Sequence, residues 1–155
     1  MVTDYQRQVS MCLTEFPWIS DQRLLQSLRT FEKRPNLLVV CEGVEPRAVT
    51  ASLRDWCARP CHVRSLPGAL QLPADITGSL FLENVAGMTL SQQIALNDWL
   101  DARRGALHIV SATDRPLWPA VEAGEFLEGL YYRLNTVVLE AKPPGQRSRR
   151  AVRRA

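Results

Sequence analysis

No apolar run in the 155-residue chain approaches the roughly 20 residues that a membrane helix needs. A helical membrane protein is therefore excluded. The opening residues, MVTDYQRQ, lack the apolar core of a secretory signal, so a cytoplasmic location is expected. Cysteine is sparse and badly spaced for metal. Of Cys12, Cys41, Cys57 and Cys61 only the last two are close, and C-x3-C without a second pair is a poor zinc signature. Buried reduced thiols are expected, with zinc or a regulatory disulfide as the alternatives. There is no internal repeat.

A broad basic surface is also missing. The formal net charge is +3, but Lys142, Arg147, Arg149, Arg150, Arg153 and Arg154 crowd the last 14 residues with no acid among them. Those six account for much of the 19 basic residues, leaving 13 against 16 acids elsewhere. The body is thus mildly acidic and the tail strongly basic, which argues against an extended nucleic-acid face on the body. The tail, residues 141–155, is poor in apolar residues and is expected to be disordered.

What the sequence does contain is a hydrophobic content of 46%, ordinary for a globular domain, and enough length to bury a core. Tyr5, Val9 and Leu13 recur at helical spacing, making residues 1–19 an expected helical extension. Ser20 is the expected N-cap of a helix carrying Leu24, Leu25, Leu28 and Phe31. Leu37–Val40 is a continuous apolar run of the kind a strand buried on both faces requires. Pro46 suits a first helical position, with Val49, Leu53 and Trp56 on one face. Cys61–Val63, Ser79–Leu82, Leu107–Ser111 and Thr136–Leu139 are the further strand candidates.

Thr89 and Gln92 have capping-box spacing at the head of a helix expected over 89–104. Leu90, Ile94 and Leu100 form its apolar face, and Gly105 its C-terminal stop. Trp118–Ala123 and Phe126–Asn135 are short helical candidates. Strands alternating with helices predict an α/β three-layer sandwich, with a mostly parallel sheet of about five strands over residues 20–140. Such sheets take ligands beyond the carboxyl ends of their strands.

Three segments, GSLFLENVAG (78–87), SATDRPLW (111–118) and GEFLEGLYYRLNTVVL (124–139), stand in this order and close together. They resemble the central ATPase domain of bacterial sigma-54-dependent transcription activators, which are AAA+ proteins. The resemblance implies a P-loop NTPase core without the family's helical lid. It also implies residues facing ATP and Mg²⁺ at Glu42, Gly43, Arg47, Glu83, Asn84 and Asp114, and an intersubunit arginine at Arg133.

Several of these positions depart from the family pattern. Cys41, Val44 and Pro46 occupy glycine places in the phosphate loop, and Arg47 occupies the lysine's. Glycines there let backbone N–H groups face phosphate. Valine disfavours positive φ, and proline has no N–H. Glu45 adds a negative charge where an anion would sit, although Arg47 could contact phosphate as a two-pronged donor. The alternative is a plain strand-to-helix turn with solvated charges. At the second site Glu83 takes the metal-associated place, and Asn84 the place of the acid that polarises water. Asparagine cannot accept a proton at neutral pH.

Asp114 replaces a phosphate-sensing asparagine. It either faces phosphate unfavourably or caps the next turn. Leu127 takes the place of a first arginine and Arg133 keeps the second, unless Arg133 is simply solvated or ion-paired. Residues 57–77 contain nothing like the family's sigma-54-engaging loop.

The expectation is a non-catalytic module, with no catalytic or metal-binding residues. It would contact sigma-54-dependent activators or RNA polymerase components, and its oligomeric state is open. ATP binding without efficient hydrolysis is one alternative. The other is nucleic-acid association through Arg147, Arg149, Arg150, Arg153 and Arg154, by salt-sensitive and sequence-blind phosphate contacts.

Overall fold

The computed structural model describes residues 18–103 and 107–143. The expected helix of residues 1–17, Cys12, Gly105 and the arginines from 147 onward lie outside the described residues.

Five strands, β1 (Leu37–Cys41), β2 (Cys61–Ser65), β3 (Gly78–Glu83), β4 (Leu107–Thr113) and β5 (Val137–Ala141), form one sheet. Its order is β2-β3-β4-β1-β5, and every neighbouring pair is parallel. β1 is buried at every position, as a strand covered on both faces must be. Alternate residues feed two cores. Leu37, Val39 and Cys41 of β1, Phe81 of β3 and Leu139 of β5 face one layer. Leu38, Leu80, Leu82 and Ile109 face the other.

The first layer is built by α1 (Gln22–Leu28) and α2 (Pro46–Leu53), through Leu25, Leu28, Val49 and Leu53. The second is built by α3 (Leu90–Ala102), α4 (Trp118–Glu122) and α5 (Glu128–Leu134), through Leu96, Val121, Leu130 and Leu134, with Leu117 just before α4. This is the three-layer α/β sandwich expected.

Local chemistry sets the element ends. Pro46 opens α2 at its first turn, where its missing N–H costs nothing. Thr89 and Gln92 complete both halves of their capping box at the head of α3. Two expectations are corrected. α1 is capped by the Asp21 carboxylate, which accepts from the Leu24 N–H at 2.9 Å, not by Ser20. It also ends at Leu28, so Phe31 falls outside its stripe and is 58% exposed.

On α3 only Leu100 of the expected apolar face packs against the core. Leu90 and Ile94 are exposed, whereas Gln93 is buried. The reason lies in α5. The Gln93 amide oxygen accepts from the Leu127 N–H at 2.8 Å, and its NH₂ donates to the carbonyls of Glu125 and Met88. A buried polar side chain with these partners satisfies backbone groups that would otherwise be stranded.

The outer edge of β5 is covered. Ile19 bridges Ala141 in antiparallel sense, the Ser20 N–H donates to the Glu140 carbonyl at 2.9 Å, and the Lys142 N–H donates to the Trp18 carbonyl at 2.7 Å. No helix of the described residues is long and apolar enough to cross a membrane.

Candidate functional site

β1, β3 and β4 end side by side, and a cavity of about 430 Å³ opens beyond their carboxyl ends. This is where parallel α/β sheets place ligands. Its walls are the turn from Cys41 to Pro46, with Asn84 and Asp114 from the neighbouring strand ends. Four residues, Glu42 to Glu45, join β1 to α2. Gly43, at φ 69°, supplies the left-handed residue this tight reversal needs. The Ala48 and Val49 N–H groups are taken by the Glu45 carbonyl at 3.0 and 3.3 Å. With Pro46 contributing no N–H, the turn is built around its own helix start.

Glu83 is the most heavily engaged side chain here. It is buried at the end of β3, in register with Ser65 of β2. One carboxylate oxygen accepts from the Thr50 hydroxyl at 2.6 Å, and the other from the Ser65 hydroxyl at 2.5 Å. The Arg47 Nε lies 3.8 Å from the same carboxylate, while the Arg47 side chain is 81% exposed. Two hydroxyls fixed by α2 and β2 therefore satisfy the acid at the metal-associated position. Hydrogen bonds to an ionised group are the strong kind.

Asn84 follows at φ 58°, an uncommon conformation that asparagine tolerates better than most residues. Its amide donates to the Leu66 carbonyl at 3.1 Å, and its own carbonyl accepts from the Gly87 N–H at 2.9 Å. A Cβ on Gly87 would lie 2.8 Å from the Asn84 amide nitrogen, so the glycine makes room for that side chain. Asn84 pegs the β2–β3 connection to the end of β3.

Asp114 lies 3.9 Å from the Arg115 guanidinium. The turn after β4 is held instead by Thr113, whose hydroxyl donates to the Arg115 carbonyl at 2.8 Å. The cap expected of Asp114 thus falls to its neighbour. The Cys41 thiol is buried on the cavity floor. Burial first, then the Asp114 and Glu45 carboxylates, push its pKa up to about 12.

Glu42 faces outward and pairs with Lys142, whose ammonium lies 3.3 Å from Glu42 and 3.4 Å from Glu140. The Glu42 hydrogen bond leads the causes that raise the Lys142 pKa. Pro143 passes over Gly43, and a Cβ there would lie 3.6 Å from the proline ring. Arg133 stands at the other end of the sheet, on the last turn of α5. Its side chain pairs with Asp101 of α3, and its carbonyl accepts from the Asn36 amide at 2.9 Å. The structure thus brings Gly43, Arg47, Glu83, Asn84 and Asp114 together and leaves Arg133 apart.

Thr50, Ser65 and Lys142 are the site residues that sequence reasoning missed as a set. A hydroxyl on the inner face of α2 was the one available signal. Among the described residues no group of three or more histidine, cysteine or acidic side chains is placed to hold a metal ion.

The strand order and the position of the turn define a P-loop NTPase-type fold. NtrX from Brucella abortus in complex with ATP superimposes with a TM-score of 0.57 at 17% identity, over 77% of this chain and 34% of that one. The same protein in complex with ADP gives 0.56 at 18% identity, over 78% and 35%. These similarities establish the fold alone.

In sequence, residues 64–140 match the sigma-54 interaction domain. The sigma54-dependent transcriptional regulator SfnR of Pseudomonas fluorescens is 34% identical over 138 residues, covering 78% of this chain and 36% of that protein. The HTH-type transcriptional regulatory protein TyrR of Enterobacter agglomerans is 27% identical over 145 residues, covering 63% and 28%. The chain therefore spans about a third or less of the curated relatives it matches.

Proposed function

We propose that this chain is a non-catalytic relative of the sigma-54-dependent activators, acting in transcription regulation through protein contacts. It would join or poison assemblies of intact activators, or contact RNA polymerase. The observation that carries this reading is the state of Glu83. Its carboxylate is spent on Thr50 and Ser65, with Arg47 beside it.

The residues present do not fit a triphosphate with Mg²⁺. Pro46 offers no N–H, the Ala48 and Val49 N–H groups are already bonded to Glu45, and the cavity carries Glu45 and Asp114. The water-polarising acid is an amide engaged with Leu66. Losing a general base alone costs roughly two or more powers of ten in rate. The test is a pull-down of the full chain against intact activators and RNA polymerase, beside a sigma-54-dependent promoter assay. Absence of both a partner and a promoter effect refutes the reading.

A second reading, nucleotide binding without efficient hydrolysis, is favoured by the exposure of the Arg47 guanidinium at the head of α2. Calorimetric titration with ATP and Mg²⁺, run beside Arg47→Ala, decides it. Heat that disappears in the variant supports nucleotide binding, and none at millimolar nucleotide removes it. Nucleic-acid association through Arg147, Arg149, Arg150, Arg153 and Arg154 concerns residues outside those described. It is tested by salt-dependent duplex binding with and without them.

A further inference from the structure

A second opening lies at the opposite end of the sheet. A cavity of about 740 Å³ sits where β3 and β4 begin, beneath the segment that leads into β1. Its size is in the range of small-molecule sites. The two ends of a five-residue parallel strand are separated by roughly 15 Å, so this cavity is distinct from the turn at Cys41–Pro46.

Its wall is mixed. Phe31, Ala58 and Leu107 are apolar, and Arg29, Lys33 and Arg34 are cationic, with Glu32 as the single acid. Arg34 is held in place, its guanidinium 5.2 Å from the centre of the Trp56 ring and donating to the Trp56 carbonyl. Among the described residues no carboxylate lies within ion-pair distance of Arg29 or Lys33.

Phe31 is 58% exposed, between these two cations in the sequence. A large aromatic ring left in water beside unpaired cations is a platform for a flat anion, because the ring stacks and the cations meet the charge. Behind the wall His108 packs on Trp56, ring centres 5.6 Å apart. The Trp56 Nε1 and His108 Nδ1 atoms are buried there without a partner among the described residues.

We infer that this amino-end cavity binds a small planar anion, an aromatic or heteroaromatic ring bearing a phosphate or carboxylate. The ring lies on Phe31 and the anion is held by Arg29 and Lys33. Neither the turn at Cys41–Pro46 nor the proposed regulatory role is needed for it.

The test is calorimetric titration of the full chain with adenosine monophosphate, benzoate, adenosine and inorganic phosphate, in low and high salt. The first two probes separate the nucleotide and aryl-carboxylate sources. The last two separate ring from charge. At least one ring-bearing anion should bind more tightly than adenosine or phosphate, and more weakly as salt rises. Phe31→Ala should weaken it about 2- to 10-fold, from the usual worth of an aromatic contact. Lys33→Glu, a surface change that spares the core, should weaken it about 10-fold or more.

Arg47→Ala should leave this binding unchanged, which keeps the result separate from nucleotide binding at the other end. No binding of either ring-bearing anion at millimolar concentration overturns the inference. So does binding indifferent to both Phe31→Ala and Lys33→Glu, or binding abolished by Arg47→Ala.

Discussion

Replacing Glu83 by glutamine separates a structural carboxylate from a catalytic one. In the folded chain Glu83 accepts hydrogen bonds from Thr50 and Ser65 at 2.6 and 2.5 Å. Glutamine is nearly isosteric and keeps one carbonyl oxygen, so one of the two bonds survives in neutral form. The other hydroxyl then meets an NH₂ group and must turn round to accept from it. The loss is about one charge-assisted hydrogen bond, roughly 1.5–3 kcal/mol.

For a chain of this size each kcal/mol shifts Tm by about 2–4 °C, so E83Q should melt roughly 3–12 °C below the parent. Arg47→Ala should cost less than about 1 kcal/mol, because the arginine is 81% exposed and its attraction to Glu83 is screened. Scanning calorimetry of E83Q, T50V and the double variant measures the coupling directly. Additive losses from the two substitutions, or an E83Q transition within about 1 °C of the parent, refute the assignment of Glu83 to the frame of the fold.

Asn84→Asp restores an acid at the water-polarising position but sets a carboxylate against the Leu66 carbonyl. We expect a loss of about 1–3 kcal/mol in stability and no phosphate release from ATP in a coupled assay. The Cys41 and Cys57 thiols, each pushed up to about 12 by burial first, should hold about a thousandfold less thiolate at pH 8 than a thiol at the ordinary 9.0. Iodoacetamide with peptide mapping should therefore label both slowly in the folded chain, after the less buried Cys61. Above pH 9 the unfolded chain gives up those two protons while the folded one keeps them. Stability should then fall as pH rises, by up to about 1.4 kcal/mol per pH unit for each thiol.

His108 behaves in the opposite sense. Burial, with Arg34 assisting, holds its imidazole below the ordinary 6.5, against the hydrogen bond to the Pro35 carbonyl. The unfolded chain thus takes up the proton first as pH falls. Stability present above pH 6.5 should be lost below it, and denaturant titrations of His108→Leu should show a shallower acid slope.

The central strands β1, β3 and β4 were legible because each contains a short apolar run. Burial on both faces demands that pattern, and it survives without any knowledge of neighbours. The capping box at Thr89 and Gln92 was legible because its chemistry is complete within four residues. Asn84 and Asp114 line one cavity, and their place after neighbouring strands was legible from motif order.

The inner face of α3 was not legible. Leu90 and Ile94 have the right spacing for burial, yet Gln93 wins the inside because Leu127 and Glu125, some thirty residues on, present backbone groups only an amide can answer. The partners of Glu83 were hidden for the same reason. Ser65 reaches it through β2–β3 register and Thr50 from a helix above the sheet, and neither relation leaves a mark in local sequence. The Asp21 cap was misplaced by one residue because serine and aspartate serve equally well and stand side by side.

Trp18 and Lys142 are tied to each other by a main-chain hydrogen bond of 2.7 Å. The main chain at Trp18 and at Lys142 therefore lies side by side, next to Glu42 and Gly43. Joining these two positions with a short linker and opening the chain elsewhere should preserve the fold, since adjacent exits are what permutation requires. Such a linker would cross the rim of the cavity that Gly43 lines, not the far pole of the sheet.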